Sequence, residues 1–124
     1  MALTRRQQSG QRAEQLAADF LRAAGCEILA RNYRRRLGEL DIIARADSVL
    51  VVAEVRTRAS AAFGGAAASI TRAKQRRVTR AAQQLLQQRV DLARFPVRFD
   101  VLVVSDPEGP SPAVEWIKHA FEAC

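Results

Sequence analysis

The chain reads as one α/β domain in which helices pack on a central mixed β-sheet, and three observations carry that reading. Apolar residues recur at offsets of three and four in two well-separated stretches, the mark of amphipathic helices. Between and after those stretches lie runs rich in Val, Ile, Leu and Phe, of strand length and bounded by turn residues. Their order is helix, three strands, helix, strand, and then either an edge strand or a short helix, a pattern that places helices against a sheet. A chain of 124 residues, 48% hydrophobic, is long enough to bury one continuous core. Residues 1–124 are therefore expected to form a single domain, with the polar residues 1–9 flexible.

Ala13, Leu16, Ala17, Phe20, Leu21 and Ala24 form the first apolar stripe, which predicts a helix from about Gln11 to Ala24 with Gly25 at its C-terminal cap. "CEILARNYRRR" supplies the first strand and runs into a basic cluster. "GELDIIARADSVLVVAEVRTR", Gly38 to Arg58, supplies two more, joined near Asp47-Ser48 as a hairpin. "ASAAFGGAAAS" is small and glycine-bearing, so it reads as a mobile loop whose Ser69 can cap the next helix. That helix is expected over Ile70–Gln88, with Ile70, Ala73, Val78, Ala81, Ala82 and Leu85 inward and Arg72, Arg76, Thr79, Arg80 and Gln83 mostly on the other side. "VRFDVLVVSD" follows Pro96 and is apolar enough for a strand covered on both faces. "AVEWIKHAF" leaves strand and short helix both open, and Trp116 and Phe121 read as core or interface residues.

Acids are out of place in strands, yet Glu39, Asp41 and Glu54 stand in the two best ones. A two- or four-residue turn at Asp47-Ser48 pairs Arg45 with Leu50, which sets Asp41 opposite Glu54 and Glu39 opposite Arg56 on one face. The other face then carries Leu40, Ile42, Val51, Ala53 and Val55. Two carboxylates about 5 Å apart cannot both stay ionised without a cation or a raised pKa. A hard divalent ion, Mg²⁺ or Mn²⁺, takes such oxygen ligands together with waters and phosphates. The competing reading is a pair of salt bridges to Arg45, Arg56 or Arg58. A three-residue turn would separate the two acids.

Asp41 followed by Glu54-Val55-Arg56 resembles the PD-(D/E)xK motif of restriction-endonuclease-like nucleases. A more specific resemblance spans roughly residues 10 to 105: "GQRAEQLAADFLRAAGCEILARNYRRRLGELDIIA", then "AEVRTR", "FG", Lys74 and "RFDVLVV" look like the YraN family of bacterial endonuclease-like proteins. The resemblance implies an αβββαβ restriction-endonuclease-like core, with Asp41 and Glu54 as metal ligands and the Val55 carbonyl as a third. Glu14 matches a position where related Holliday-junction resolvases carry an extra acidic ligand; an ordinary solvated helix residue is the alternative. Arg56 departs from the motif lysine. Arginine keeps its proton, so it can stabilise an anionic transition state but cannot act as a base. Lys74 offers a replacement ammonium, against the alternative of a solvated helix lysine.

The formal charge is +7, from 20 Lys and Arg against 13 Asp and Glu, which suits a polyanionic partner. Residues 69–80 hold Arg72, Lys74, Arg76, Arg77 and Arg80 and no acid, while Arg31, Arg34, Arg35 and Arg36 surround Asn32 and Tyr33. Such clusters hold phosphates without reading bases, and Tyr33 can stack on an unpaired base or pack in the core. Residues 105–124 hold four acids and one lysine, so the charge is lopsided. Asp100 is expected to anchor Arg98 or a neighbouring amide rather than to act in catalysis.

Cys26 and Cys124 form no CxxC pair and His119 is the single histidine, which excludes structural zinc spacing and a disulfide framework. The N-terminus lacks the apolar stretch of a signal peptide, and no run is apolar and long enough for a membrane span, so the expected compartment is the cytoplasm. Three functions stay open: a metal-dependent nuclease-like protein hydrolysing or recognising branched or single-stranded DNA, a non-catalytic nucleic-acid-binding module, and an adaptor for an acidic protein. Resolvase-like relatives act as dimers, so a homodimer is expected by analogy.

Overall fold

The structure, a computed structural model, describes residues 2–58 and 70–124. Helix α1 is Arg5–Ala23, strands β1, β2 and β3 are Glu27–Arg35, Gly38–Ala46 and Val49–Arg58, helix α2 is Arg72–Gln88, and strands β4 and β5 are Val97–Ser105 and Ala113–Phe121. The sheet order is β1-β2-β3-β4-β5. β1, β2 and β3 form an antiparallel meander, α2 carries the chain to β4, which lies parallel to β3, and β5 returns antiparallel to β4. The result is a mixed sheet with the order of a restriction-endonuclease-like core. "AVEWIKHAF" is thereby an edge strand.

Each face of the sheet takes one helix. Ala13, Ala17 and Leu21 of α1 pack on Ile42, Val51, Ala53 and Leu102, and Val78, Ala81 and Leu85 of α2 pack on Ile43, Leu50, Val52 and Phe99. β4 is buried from Phe99 onward because it contributes to both layers. Asp100 sits wholly buried within it, where it accepts from both Arg98 guanidinium nitrogens (2.9 and 2.8 Å), the Trp116 indole (2.8 Å) and the His119 amide (2.9 Å). The expected anchor for Arg98 is thus also a tie between β4 and β5. Phe121 stacks on Phe99 at 5.1 Å between centroids, and Trp116 meets Phe20 edge-on at 6.4 Å.

Both helices depart from their expected starts. α1 begins at Arg5 rather than near Gln11, because Thr4 and Gln7 make a reciprocal capping box. Residues 5–9 are therefore helical, and their polarity hides them from a search for apolar periodicity. At the other end Gly25, at φ 95°, completes the cap, with the Gly25 and Cys26 amides donating to Arg22 and Leu21. α2 is capped by Thr71, whose hydroxyl accepts from the Lys74 amide at 3.1 Å. Ser69 and the expected mobile loop lie outside the described residues.

The stripe of α2 also shifts. Ala73 is exposed and Thr79 is buried, the reverse of the expectation. Thr79 tolerates burial because its hydroxyl donates to the Gln75 carbonyl at 2.8 Å, and Ile70 packs with Val101 and Val103 instead.

Candidate active site

A two-residue turn fixes the site. Asp47, at φ 53°, and Ser48 close the β2–β3 hairpin, and Arg45 pairs with Leu50. The paired positions run inward to Ile42 and Ala53, where the regular ladder stops. The next residue along each strand is Asp41 on β2 and Glu54 on β3, and there the side chains take over from the backbone. The Val55 amide donates to Asp41 Oδ2 at 2.9 Å, and the Asp41 amide donates to Glu54 Oε2 at 3.3 Å. Leu40 is a correction that follows from the same interruption. Alternation puts it beside Ile42, but it packs with Tyr33, Ile43 and Val52 on the α2 side, since Asp41 between the two is paired in neither ladder of β2 and parity is lost across it.

Glu54 is 2% exposed. Its Oε1 lies 3.4 Å from Lys74 Nζ, so α2 delivers an ammonium directly onto the acid pair. Burial foremost, and then the negative charge of Asp41, push the Glu54 carboxyl up to about 7, while Lys74 and the Asp41 amide pull in the other direction. Asp41 is raised as well, chiefly by burial; the Val55 amide, Lys74 and Arg56 oppose that rise. Arg56, two residues on from Glu54 along β3, is half-buried and near enough for its charge to favour ionised Asp41.

Glu14 reaches toward this pair from α1. Its carboxyl is raised by burial and then by Asp41, against the lowering influence of Arg31, Arg34 and the Asn32 side chain. It stands beside the pair rather than in it, for among the described residues no three His, Cys, Asp or Glu side chains gather as a metal-holding group. Of the ligands that the family pattern implied, Asp41 and Glu54 are therefore in mutual contact, Val55 is tied to Asp41 through its amide, and Glu14 is a neighbour.

The basic residues divide by position. Arg34, Arg35, Gly38, Glu39, Lys74 and Arg77 line one pocket of ≈ 300 Å³, which joins the β1 arginines to the start of α2 next to Glu54. Arg34 pairs with Glu39 at 3.5 Å. Arg36 is exposed in the β1–β2 turn, and Arg72, Arg76 and Arg80 are exposed along α2 at offsets of four. Tyr33 is no free stacking platform: its ring packs on the α2-side core, Arg35 covers it at 4.2 Å, and its hydroxyl donates to Gln88 at 2.9 Å. One feature of the pocket escaped the sequence. A Cβ on Gly38 would meet the Arg77 carbonyl oxygen at 2.7 Å, so the absence of a side chain there is what lets β2 and α2 approach. A glycine directly after "RRRL" is its only signal.

Comparison with known proteins identifies the family of the sequence. The model of the uncharacterised protein family UPF0102 matches residues 13–104. A UPF0102 protein of Saccharophagus degradans is 43% identical over 119 residues, 96% of this chain and 97% of the relative. One from Cupriavidus taiwanensis is 49% identical over 120 residues, 95% and 86% of the two chains. Another, from Legionella pneumophila strain Philadelphia 1, is 40% identical over 117 residues, 94% and 97%.

Proposed function

The chain belongs to the UPF0102 family, as the YraN-like sequence pattern implied, and on that premise we propose that it is a metal-dependent nuclease-like protein acting on branched or single-stranded DNA. The observation that carries this is the convergence of Asp41, Glu54 and Lys74 beside a pocket walled by Arg34, Arg35 and Arg77. Two carboxylates that resist joint ionisation are a donor set that suits a hard divalent cation, Mg²⁺ or Mn²⁺. Asp41 and Glu54 would hold it, with Glu14 adding negative charge nearby. When bound, such an ion polarises the phosphodiester and makes water a stronger nucleophile.

The chain's own residues supply the remainder. Arg34, Arg35 and Arg77 hold the backbone phosphates, Arg56 places a permanent positive charge near Asp41, and Lys74 is the ammonium available to steady negative charge on the phosphate. A second reading keeps only the binding function, and Arg56 in the place of the motif lysine favours it.

Thermal unfolding with and without Mn²⁺ separates a metal site from none. A ligand binding only the native state at about a hundred times its Kd adds about 2.7 kcal/mol, a rise of roughly 10 °C for a domain of this size. We expect that rise at millimolar Mn²⁺, its loss in Glu54→Ala, and Mn²⁺-dependent cleavage of flapped DNA that Glu54→Ala also lacks. DNA binding without a metal shift or cleavage would leave the binding module.

A further inference from the structure

A second, polar pocket of ≈ 460 Å³ lies between α1 and β1, lined by Gln8, Gln11, Arg12, Glu14, Gln15, Arg31 and Asn32. Two of its walls carry unmet hydrogen-bonding capacity. Glu14 Oε1 and Arg31 Nε are both buried without a partner, although the Arg31 Nη1 donates to Gln15 Oε1 at 3.0 Å and the Asn32 side chain lies close enough to the Glu14 carboxyl to favour its ionised form. Orphaned buried polar atoms are rare in native proteins. Here an acceptor and a donor lie in one pocket, with amide side chains around them. Asn32 adopts φ 53°, a left-handed conformation that turns the β1 backbone at the pocket wall.

We infer that this pocket receives the base of an unpaired nucleotide: Glu14 accepts a base N–H, Arg31 donates to an adjacent ring nitrogen or carbonyl, and the Arg12 guanidinium lies against the ring. An acceptor beside a donor complements the pairing edge of any of the four bases, so the pocket selects unpaired over paired nucleotides and not one base over another. In a duplex that edge is already occupied. Unpaired bases are held by proteins in this manner, by hydrogen bonds to the pairing edge and stacking on aromatic or guanidinium planes. The placement suits a nucleic-acid strand. Asn32 and Arg34 are two residues apart on β1, about 7 Å, so a base here can share one backbone with a phosphate in the Arg34–Arg77 pocket. The inference rests on the nucleic-acid reading of the preceding section and narrows its substrate to strands with an unpaired nucleotide beside the acid pair.

The test measures equilibrium binding in EDTA, where any metal ligation by Glu14 plays no part. The probes are a fluorescent single strand, the same strand with one abasic nucleotide stepped through each position, and the matching duplex. One lost hydrogen bond to a charged group corresponds to about a tenfold change in Kd, so one abasic position should weaken wild-type binding roughly tenfold. In Glu14→Ala and Arg31→Lys that penalty should fall to about twofold or less. Wild-type binding that is tight and indifferent to every abasic position overturns the base pocket and leaves the DNA reading intact; no binding to any of the three probes overturns both. An abasic penalty undiminished in both variants assigns the base to another site and overturns this one.

Discussion

Glu54 is a carboxyl almost without solvent, set against a second acid and a single ammonium, and it keeps its proton to about pH 7. The unfolded chain would release that proton near its ordinary value of 4.5. Between those values the native state binds more protons, so stability falls as pH rises through the window. At about 1.36 kcal/mol per unit the loss across the window is about 3 kcal/mol, and Asp41, also raised, adds to it with the same sign. Urea unfolding at pH 5 and pH 8 should show wild type losing stability and Glu54→Gln losing far less. Equal losses in the two proteins would mean that Glu54 does not titrate in this range. The pairing of Asp41 with Glu54 was legible in the sequence because a two-residue turn fixes strand parity. Lys74 was legible only as one of two alternatives, since no periodicity says which helical lysine meets which strand. Leu40 was misplaced for a related reason, namely that alternation is a property of the ladder and Asp41, between Leu40 and Ile42, is paired in neither ladder of β2.

At the scale of elements, the contact between the start of β2 and α2 depends on Gly38. Alanine there would push a Cβ into the Arg77 backbone oxygen, 2.7 Å away, and a backbone carbonyl in a helix cannot step aside. Overpacking of this kind costs about 1–3 kcal/mol. Gly38→Ala should therefore lower the unfolding midpoint by several degrees and, by moving Arg77 and Lys74, weaken DNA binding more than alanine at Gly10, where an added Cβ meets nothing within 4 Å. Unchanged stability would show that β2 and α2 can separate without cost. The succession of elements and the hairpin followed from apolar pattern and turn residues, whereas the last segment, open between edge strand and short helix, is decided by its pairing with β4. The helix starts did not, because Thr4 and Thr71 act through side-chain hydrogen bonds that polar sequence leaves unmarked.

Over the whole molecule, charge is the coarse variable. The basic residues of β1 and α2 border the acid pair, and the acid-rich segment 105–124 forms the end of β4, the following turn and β5, the opposite edge of the sheet from β1. Arg72, Arg76 and Arg80 project from α2 beyond the pocket. If they contact phosphates, their joint change to Glu should weaken DNA binding and flatten the plot of log K against log salt by close to 0.9 for each lost contact. Wild-type affinity and slope in that triple variant would confine the phosphate contacts to the Arg34–Arg77 pocket. No helix among the described residues is long and apolar enough to cross a membrane.

The order of strands along the chain has a further consequence, for the path by which the molecule assembles. Asp41 and Glu54 are 13 residues apart and meet on a hairpin, whereas the first parallel pair, Leu50 with Val97, closes a loop of 97 − 50 = 47 residues. Loop-closure entropy separates these events by about 1 kcal/mol, so the hairpin is the earlier contact. The two carboxylates consequently confront each other in a nascent ribbon before α2 has docked. Lys74 arrives only with that helix, so their repulsion acts as a brake on the first step of folding, one that low pH would release.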